Sequence, residues 1–156
     1  MLPLLSFVLK IDEKGIIGRW ELNQISLNKD TIFYRGQFEY TLKHNFELNK
    51  NWITNLEDSL TVTKRAEQGF QNSNSIYMEF LTDSTFKMTK VRSGGRISPD
   101  EFDFGTYEIR TDTLLMTNQS RRDYRMMLKI DFENERIYQE DGLPNHMVYQ
   151  EYLRKD

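Results

Sequence analysis

From Gly18 onward, apolar and polar residues alternate along most of this chain, and that period of two constrains the fold more than any other feature. Successive side chains of a strand point to opposite faces, so alternation marks strands with one dry face and one wet face. Trp20 and Leu22 alternate with Arg19, Glu21 and Asn23. A short strand over 31–35 ends in a turn at Gly36. Phe38, Tyr40, Leu42, His44, Phe46 and Leu48 then form a longer series, read as one strand or as two with a turn near His44 and Asn45. Ile76, Met78 and Phe80 lead into the turn Thr82-Asp83-Ser84, after which Phe86 and Met88 alternate with Lys87 and Thr89. Ser93-Gly94-Gly95-Arg96, followed by Ser98-Pro99-Asp100, reads as a loop. Phe102 and Phe104 resume the pattern, but Tyr107 and Ile109 carry it on odd positions. A glycine at such a parity slip, here Gly105, predicts a β-bulge or sharp bend. Leu114 and Met116, the run from Tyr124 to Phe132, a strand over 136–140 and a last strand over 146–154 complete about nine strands.

Residues 49–75 are less patterned. Thr54 and Glu57 have capping-box spacing ahead of Leu60, which predicts a short helix over 55–68. The β-branched stretch Ser59 to Lys64 reads equally well as a strand, and the helix is the reading taken. An all-β chain built of half-buried antiparallel strands forms a sandwich or a barrel, and a barrel also removes exposed edges.

The 156 residues fit one domain, taken as 16–156, preceded by an apolar segment over 1–15. Ten Phe, eight Tyr and two Trp exclude a chain that is mainly disordered. The net charge of -3 gives no nucleic-acid footprint. The absence of Cys excludes disulfides, thiolate metal sites and a lipid-modified cysteine. Met1 to Leu9 is too short to span a bilayer, so no stable membrane insertion is expected. It is read in three ways: the tail of a longer export signal, a segment packed on the domain, or a weak membrane-surface contact.

Three motifs occur in order. Gly18-Arg19-Trp20-Glu21-Leu22 resembles the Gly-x-Trp opening of the first strand in calycin-type, lipocalin-like proteins. Phe80-Leu81-Thr82-Asp83-Ser84-Thr85-Phe86 resembles the F-x-x-D-G-T-F hairpin of bacterial lipocalin-like domains, with Ser84 where Gly is usual. Gly105-Thr106-Tyr107-Glu108-Ile109, followed by Asp112 to Thr117, is similar to the G-T-Y-x-I strand and its successor in the same proteins. Tyr149 to Arg154 is similar to their last strand. The resemblance spans residues 16–154 and implies an antiparallel up-and-down β-barrel of about 8–9 strands. It also implies that Arg154 packs over Trp20 at the closed end, a cation on an indole face worth about 0.5–2 kcal/mol. Gly18, Trp20, Gly105 and Arg154 are thus its structural signature. Many such relatives are exported lipoproteins, which favours a periplasmic or secreted protein, although this chain has no Cys to carry a lipid.

No catalytic constellation is expected, and no cofactor. His44 is read as an interior histidine and His146 as an exposed one, neither with the spacing of a metal site. Glu101 and Asp103 are read as a wet outer face. The basic cluster Arg121-Arg122-Asp123-Tyr124-Arg125 is read as a solvated turn, and Asn118-Gln119-Ser120 as a chance glycan acceptor. The dry face is rich in methionine, whose flexible thioether adapts to an apolar guest. A barrel of this size either fills with side chains or holds one small ligand. The residues expected to line a lumen are Tyr40, Met78, Phe80, Met88, Phe104, Tyr107, Met116, Met126 and Tyr149. A carboxylate guest needs an inward partner, for which Arg92, Tyr40, Tyr107 and Tyr149 are candidates. The expected function is non-catalytic binding of a small hydrophobic or amphipathic molecule. The alternative is a protein-interaction module on a solid barrel, with Trp52, Ile53 and Phe70 as its anchors.

Overall fold

The first and last strands pair with each other. β1 (Gly18–Leu27) runs antiparallel to β9 (His146–Lys155) from Arg19 opposite Lys155 to Leu27 opposite Val148. That ladder closes a sheet into a ring, in a computed structural model that describes residues 15–73, 76–91, 97–120 and 124–155, without the side chains of 91, 97–102 and 124. Between the two come β3 (Ile76–Phe80), β4 (Thr85–Val91), β5 (Ile97–Arg110), β6 (Thr113–Asn118), β7 (Tyr124–Asp131) and β8 (Arg136–Leu143), each antiparallel to its neighbours. The result is a closed eight-stranded up-and-down barrel. β2 (Asp30–Tyr34) is an outer strand, paired with β1 alone.

β1 has two neighbours on its other edge. Gly18 to Glu21 pairs with β3, and Gln24 to Leu27 pairs with β2, with a register shift between Ile25 and Ser26; on the β9 edge the shift falls between Leu22 and Gln24. The part of the wall that β3 does not reach is covered by β2 and by a helical hairpin, α1 (Phe38–Asn49) and α2 (Leu56–Ser73). Phe70 of α2 packs on Phe33 of β2 and on Phe38 of α1, each at a ring separation of 5.5 Å.

α1 replaces the strand expected over 38–48. Phe38, Leu42 and Phe46 lie four apart, a spacing that satisfies a period of two and a helical turn alike. Thr41 is the only β-branched residue in the segment, and its Glu, Lys and Asn are poor strand formers. The helix is reinforced by Asn45 donating to the Thr41 carbonyl at 2.9 Å and Asn49 to that of Asn45 at 2.7 Å. α2 confirms the helix expected over 55–68 and extends it to Ser73. Its box lies one residue later than expected. Asn55 Oδ1 accepts the Asp58 N–H at 2.9 Å, and the Asp58 carboxylate accepts the Thr54 N–H at 2.8 Å.

The core contains Ile16, Trp20, Leu22, Phe33, Met78, Phe80, Phe86, Met88, Tyr107, Leu114, Met116, Leu128, Ile130, Ile137 and Tyr152. One end is sealed. Arg154 stands opposite Trp20, with its guanidinium 4.7 Å from the indole centroid, and donates to the carbonyls of Gly15 and Ile17. Trp20 Nε1 donates to the Ile16 carbonyl at 2.9 Å. The expected pairing of these two side chains is therefore present.

Gly105 makes no bulge. The β4–β5 register runs unbroken from Thr85 opposite Thr106 to Thr89 opposite Phe102, and the shift falls later, before Val91. A Cβ at Gly105 would stand 1.9 Å from the Thr117 carbonyl oxygen and 3.0 Å from the Phe86 ring, so glycine is there for close approach. β5 already begins at Ile97, paired with Val91, so Ser98-Pro99-Asp100 lies in the strand and not in the expected loop. From Asp103 on, the inward parity of β5 is odd. Phe104 is 50% exposed, and Asp103, read as a wet-face residue, is only 8% exposed. Phe132 lies in the turn after β7, its ring beside Gly15.

Candidate functional site

Along the barrel axis, the inward set changes character. Near the Trp20 end it is large and apolar: Phe80, Phe86, Leu114, Ile130 and Ile137. Tyr107 is inward there too, and its hydroxyl donates to the Leu81 carbonyl at 2.7 Å. Beside Trp20 and Tyr107 come thioethers: Met78 stands opposite both Trp20 and Met88, and Met116 opposite both Tyr107 and Met126. Farther from the sealed end, polar groups take over. Gln139 and Gln150 share a cross-strand pair on the face of Tyr152. Asn118 is fully buried and Asp103 nearly so, linked by Ser120, whose hydroxyl lies 2.8 Å from Asn118 Oδ1 and 2.9 Å from Asp103 Oδ1. Burial of Asn118 also closes the Asn118-Gln119-Ser120 glycan reading.

Of the nine residues expected to line a lumen, Met78, Phe80, Met88, Tyr107 and Met116 are buried in the core, and Met126 packs against it half-buried. The other three stand elsewhere. Tyr40 is on α1, Phe104 is on the outer face of β5, and Tyr149 is on the outer face of β9, one residue out of phase with Tyr152. His44 is likewise on α1, half-buried beside the β2 edge, and not in the core; His146 is exposed at the start of β9. Arg92, the 93–96 loop, Arg121, Arg122, Asp123 and residues 1–14 lie outside the described residues, as do the side chains of Glu101 and Phe102.

The outer face over β8, β9 and β1 is ordered in rows by the register: Tyr138, Glu151 and Gln24, then Glu140, Tyr149 and Ser26. Glu151 accepts from Asn23 Nδ2 and from the Tyr149 hydroxyl, each at 2.8 Å, and from Arg136 at 3.4 Å. Burial, together with the hydrogen bond to Glu151, pushes the Tyr149 phenol up to about 12; burial alone does the same to Tyr152. Nothing in the sequence pattern separates Tyr149 from the inward tyrosines, because the phase of β9 is set by its ladder with β1.

Among the described residues, hollows outside the wall include one of about 590 Å³ beside Tyr149, one of about 860 Å³ between β2 and α1, and one of about 580 Å³ over β5 to β7. No cluster of three or more His, Asp or Glu suited to a metal occurs among them, and no described helix is long and apolar enough to cross a membrane.

No protein-family model matches the chain, and no curated protein does. Among solved structures the chain is similar to a DUF4847 family protein from Bacteroides vulgatus, with 11% sequence identity and a TM-score of 0.48, over 94% of this chain and 99% of that one.

The helical hairpin carries a second apolar set. Leu48 is 67% exposed, Leu56 75%, Leu60 54% and Trp52 39%. Phe70, expected beside Trp52 as an anchor, is instead spent on Phe33 and Phe38.

Proposed function

We propose that the protein is a non-catalytic, lipocalin-like binding barrel that holds an amphipathic small molecule at the end of its lumen remote from Trp20. The reading is supported by the gradient of the interior, from close-packed aromatic and aliphatic side chains to Met126, Gln139, Gln150 and the Asp103–Ser120–Asn118 cluster. Flexible thioethers adapt to the apolar part of a guest. Polar groups set among them fix the orientation of a head group. Gln139 and Gln150, paired across β8 and β9 on the inward face, favour a guest that carries a polar head. The test is native mass spectrometry after incubation with a total lipid extract. An adduct is expected on the wild type and lost in Met126→Trp, which fills the remote half. No adduct, or one indifferent to that substitution, counts against the reading.

A second reading follows from Leu48, Trp52, Leu56 and Leu60, an exposed apolar set on one hairpin. Here the helices dock a partner protein. The double variant Trp52→Ala, Leu56→Glu is expected to lose a partner cross-linked in cells while keeping the wild-type melting curve. Cross-linking that recovers no partner on the wild type rejects this reading.

A further inference from the structure

We infer that the hollow between the β1–β2 and β8–β9 turns is a saccharide-binding site with the Tyr149 ring as its platform. It is separate from the lumen, since Tyr149 stands on the outer face of the wall.

The walls are stapled together. Asn28 N donates to the Met147 carbonyl at 2.8 Å, Met147 N donates to Asn28 Oδ1 at 2.8 Å, and Asn28 Nδ2 donates to the Asn145 carbonyl at 3.1 Å. Two hairpin turns that would otherwise move independently thus form one rim. The hollow holds about 590 Å³, the size of a small-ligand site. In the row beyond Tyr149, Met147 stands opposite Gly142, where a Cβ would lie 2.0 Å from the His146 carbonyl oxygen, so the two strands approach closely and hold the rim tight.

The floor is aromatic and fixed. Tyr149 packs on Tyr138 at a ring separation of 6.0 Å, and its hydroxyl is held by Glu151. The hydroxyl being engaged, the ring offers a ligand its apolar face. Around it stand Ser26, Lys29, Glu140 and Asn145. Lys29, Glu140 and Asn145 supply an ammonium, a carboxylate and an amide, so donors and acceptors are mixed on one rim, while the buried Ser26 hydroxyl accepts from Gln24 Nε2 at 2.9 Å beneath it. Lys29 and Glu140 are both exposed and of opposite sign, so together they select no net charge. A neutral ring with one C–H face and several hydroxyls matches this set, and that is a pyranose. A ligand with a single charge would gain from one rim residue and lose to the other.

The experiment is an amide NMR titration of the full chain with four neutral probes: maltotetraose, cellotetraose, xylotetraose and tetra-N-acetylchitotetraose. At least one is expected to give saturating shifts at Ser26, Lys29, Met147 and Tyr149. Tyr149→Ala is expected to weaken it at least about tenfold, and Tyr149→Phe to retain it, because the ring stays. Glu140→Ala, at an exposed position, keeps the test readable if Tyr149→Ala fails to fold, and is expected to weaken binding severalfold. The inference is overturned by absence of saturating shifts with all four sugars. It is equally overturned by shifts confined to other surfaces, by affinity unchanged in Glu140→Ala, or by shifts at these residues given by glycine and by none of the sugars.

Discussion

Two glycines separate what a residue does from what its neighbours in sequence suggest. Gly36 has open space around a Cβ, whereas Gly105 has the Thr117 carbonyl oxygen at 1.9 Å. Gly105→Ala therefore forces two strands apart at a buried position. Loss of about 3 kcal/mol or more, or failure to fold, is the expected outcome in urea unfolding. A variant within about 1 kcal/mol of wild type would show that the strands give way. Arg154 acts differently, by what it joins. Its guanidinium lies on the Trp20 indole and takes the Gly15 and Ile17 carbonyls, tying the approach to β1 onto the end of β9. Arg154→Met keeps the stem and removes the charge and both bonds. A loss of about 2–3 kcal/mol is expected, read from the urea midpoint at constant slope. Arg154→Lys recovers little of it, since one ammonium cannot span both carbonyls and the ring.

At the scale of elements, the sequence was legible where a period of two has a single explanation. Trp20 and Leu22, Met78 and Phe80, Leu114 and Met116, and Leu128 and Ile130 all alternate and all lie in the core. It misled where four-residue spacing serves both periods, as with Phe38, Leu42 and Phe46 in α1. It also misled over the phase of β5, where Phe102 and Phe104 looked inward because they are aromatic. Gly105 stands inward opposite Phe86, with the Thr117 carbonyl and the Phe86 ring leaving no room for a Cβ, and both of these belong to other strands. The candidate sites were harder still. Tyr107 and Tyr149 are both tyrosines in alternating strands, and the side of the wall each takes comes from pairing. The helical hairpin offers its own prediction. Phe70 ties α2 to Phe33 of the outer strand β2, beside the Thr41 hydroxyl that ties α1 to the Ile32 carbonyl. Phe70→Ala is expected to speed amide exchange across α1 and α2 by at least about tenfold while β5 to β9 keep their protection. Uniform acceleration over all strands would mean that the hairpin and barrel unfold as one unit.

Closure of the barrel depends on β9, which bonds to β8 on one edge and β1 on the other. The pairing joins the two ends of the chain, so it is a contact of long sequence separation and costly to form. Tyr152 sits in that seam, buried between Leu22 and Ile137 in the register. Burial holds its phenol neutral up to about 12, from an ordinary value of 10.0. In the unfolded chain the same group ionises from about pH 10. Between those values the unfolded state binds fewer protons than the folded one, so stability falls as pH rises and is fully present below pH 10. The loss from Tyr152 is on the order of 2 kcal/mol by pH 12. Tyr149 shifts in the same direction and adds a smaller part, being screened by solvent on the outer face. Urea midpoints measured between pH 8 and pH 11.5 are expected to fall steeply only above pH 10 in the wild type. Tyr152→Phe, which keeps the ring and removes the ionisable group, should flatten most of that fall. A fall of equal size in Tyr152→Phe would place the alkaline weakness elsewhere in the wall and remove the seam as its origin.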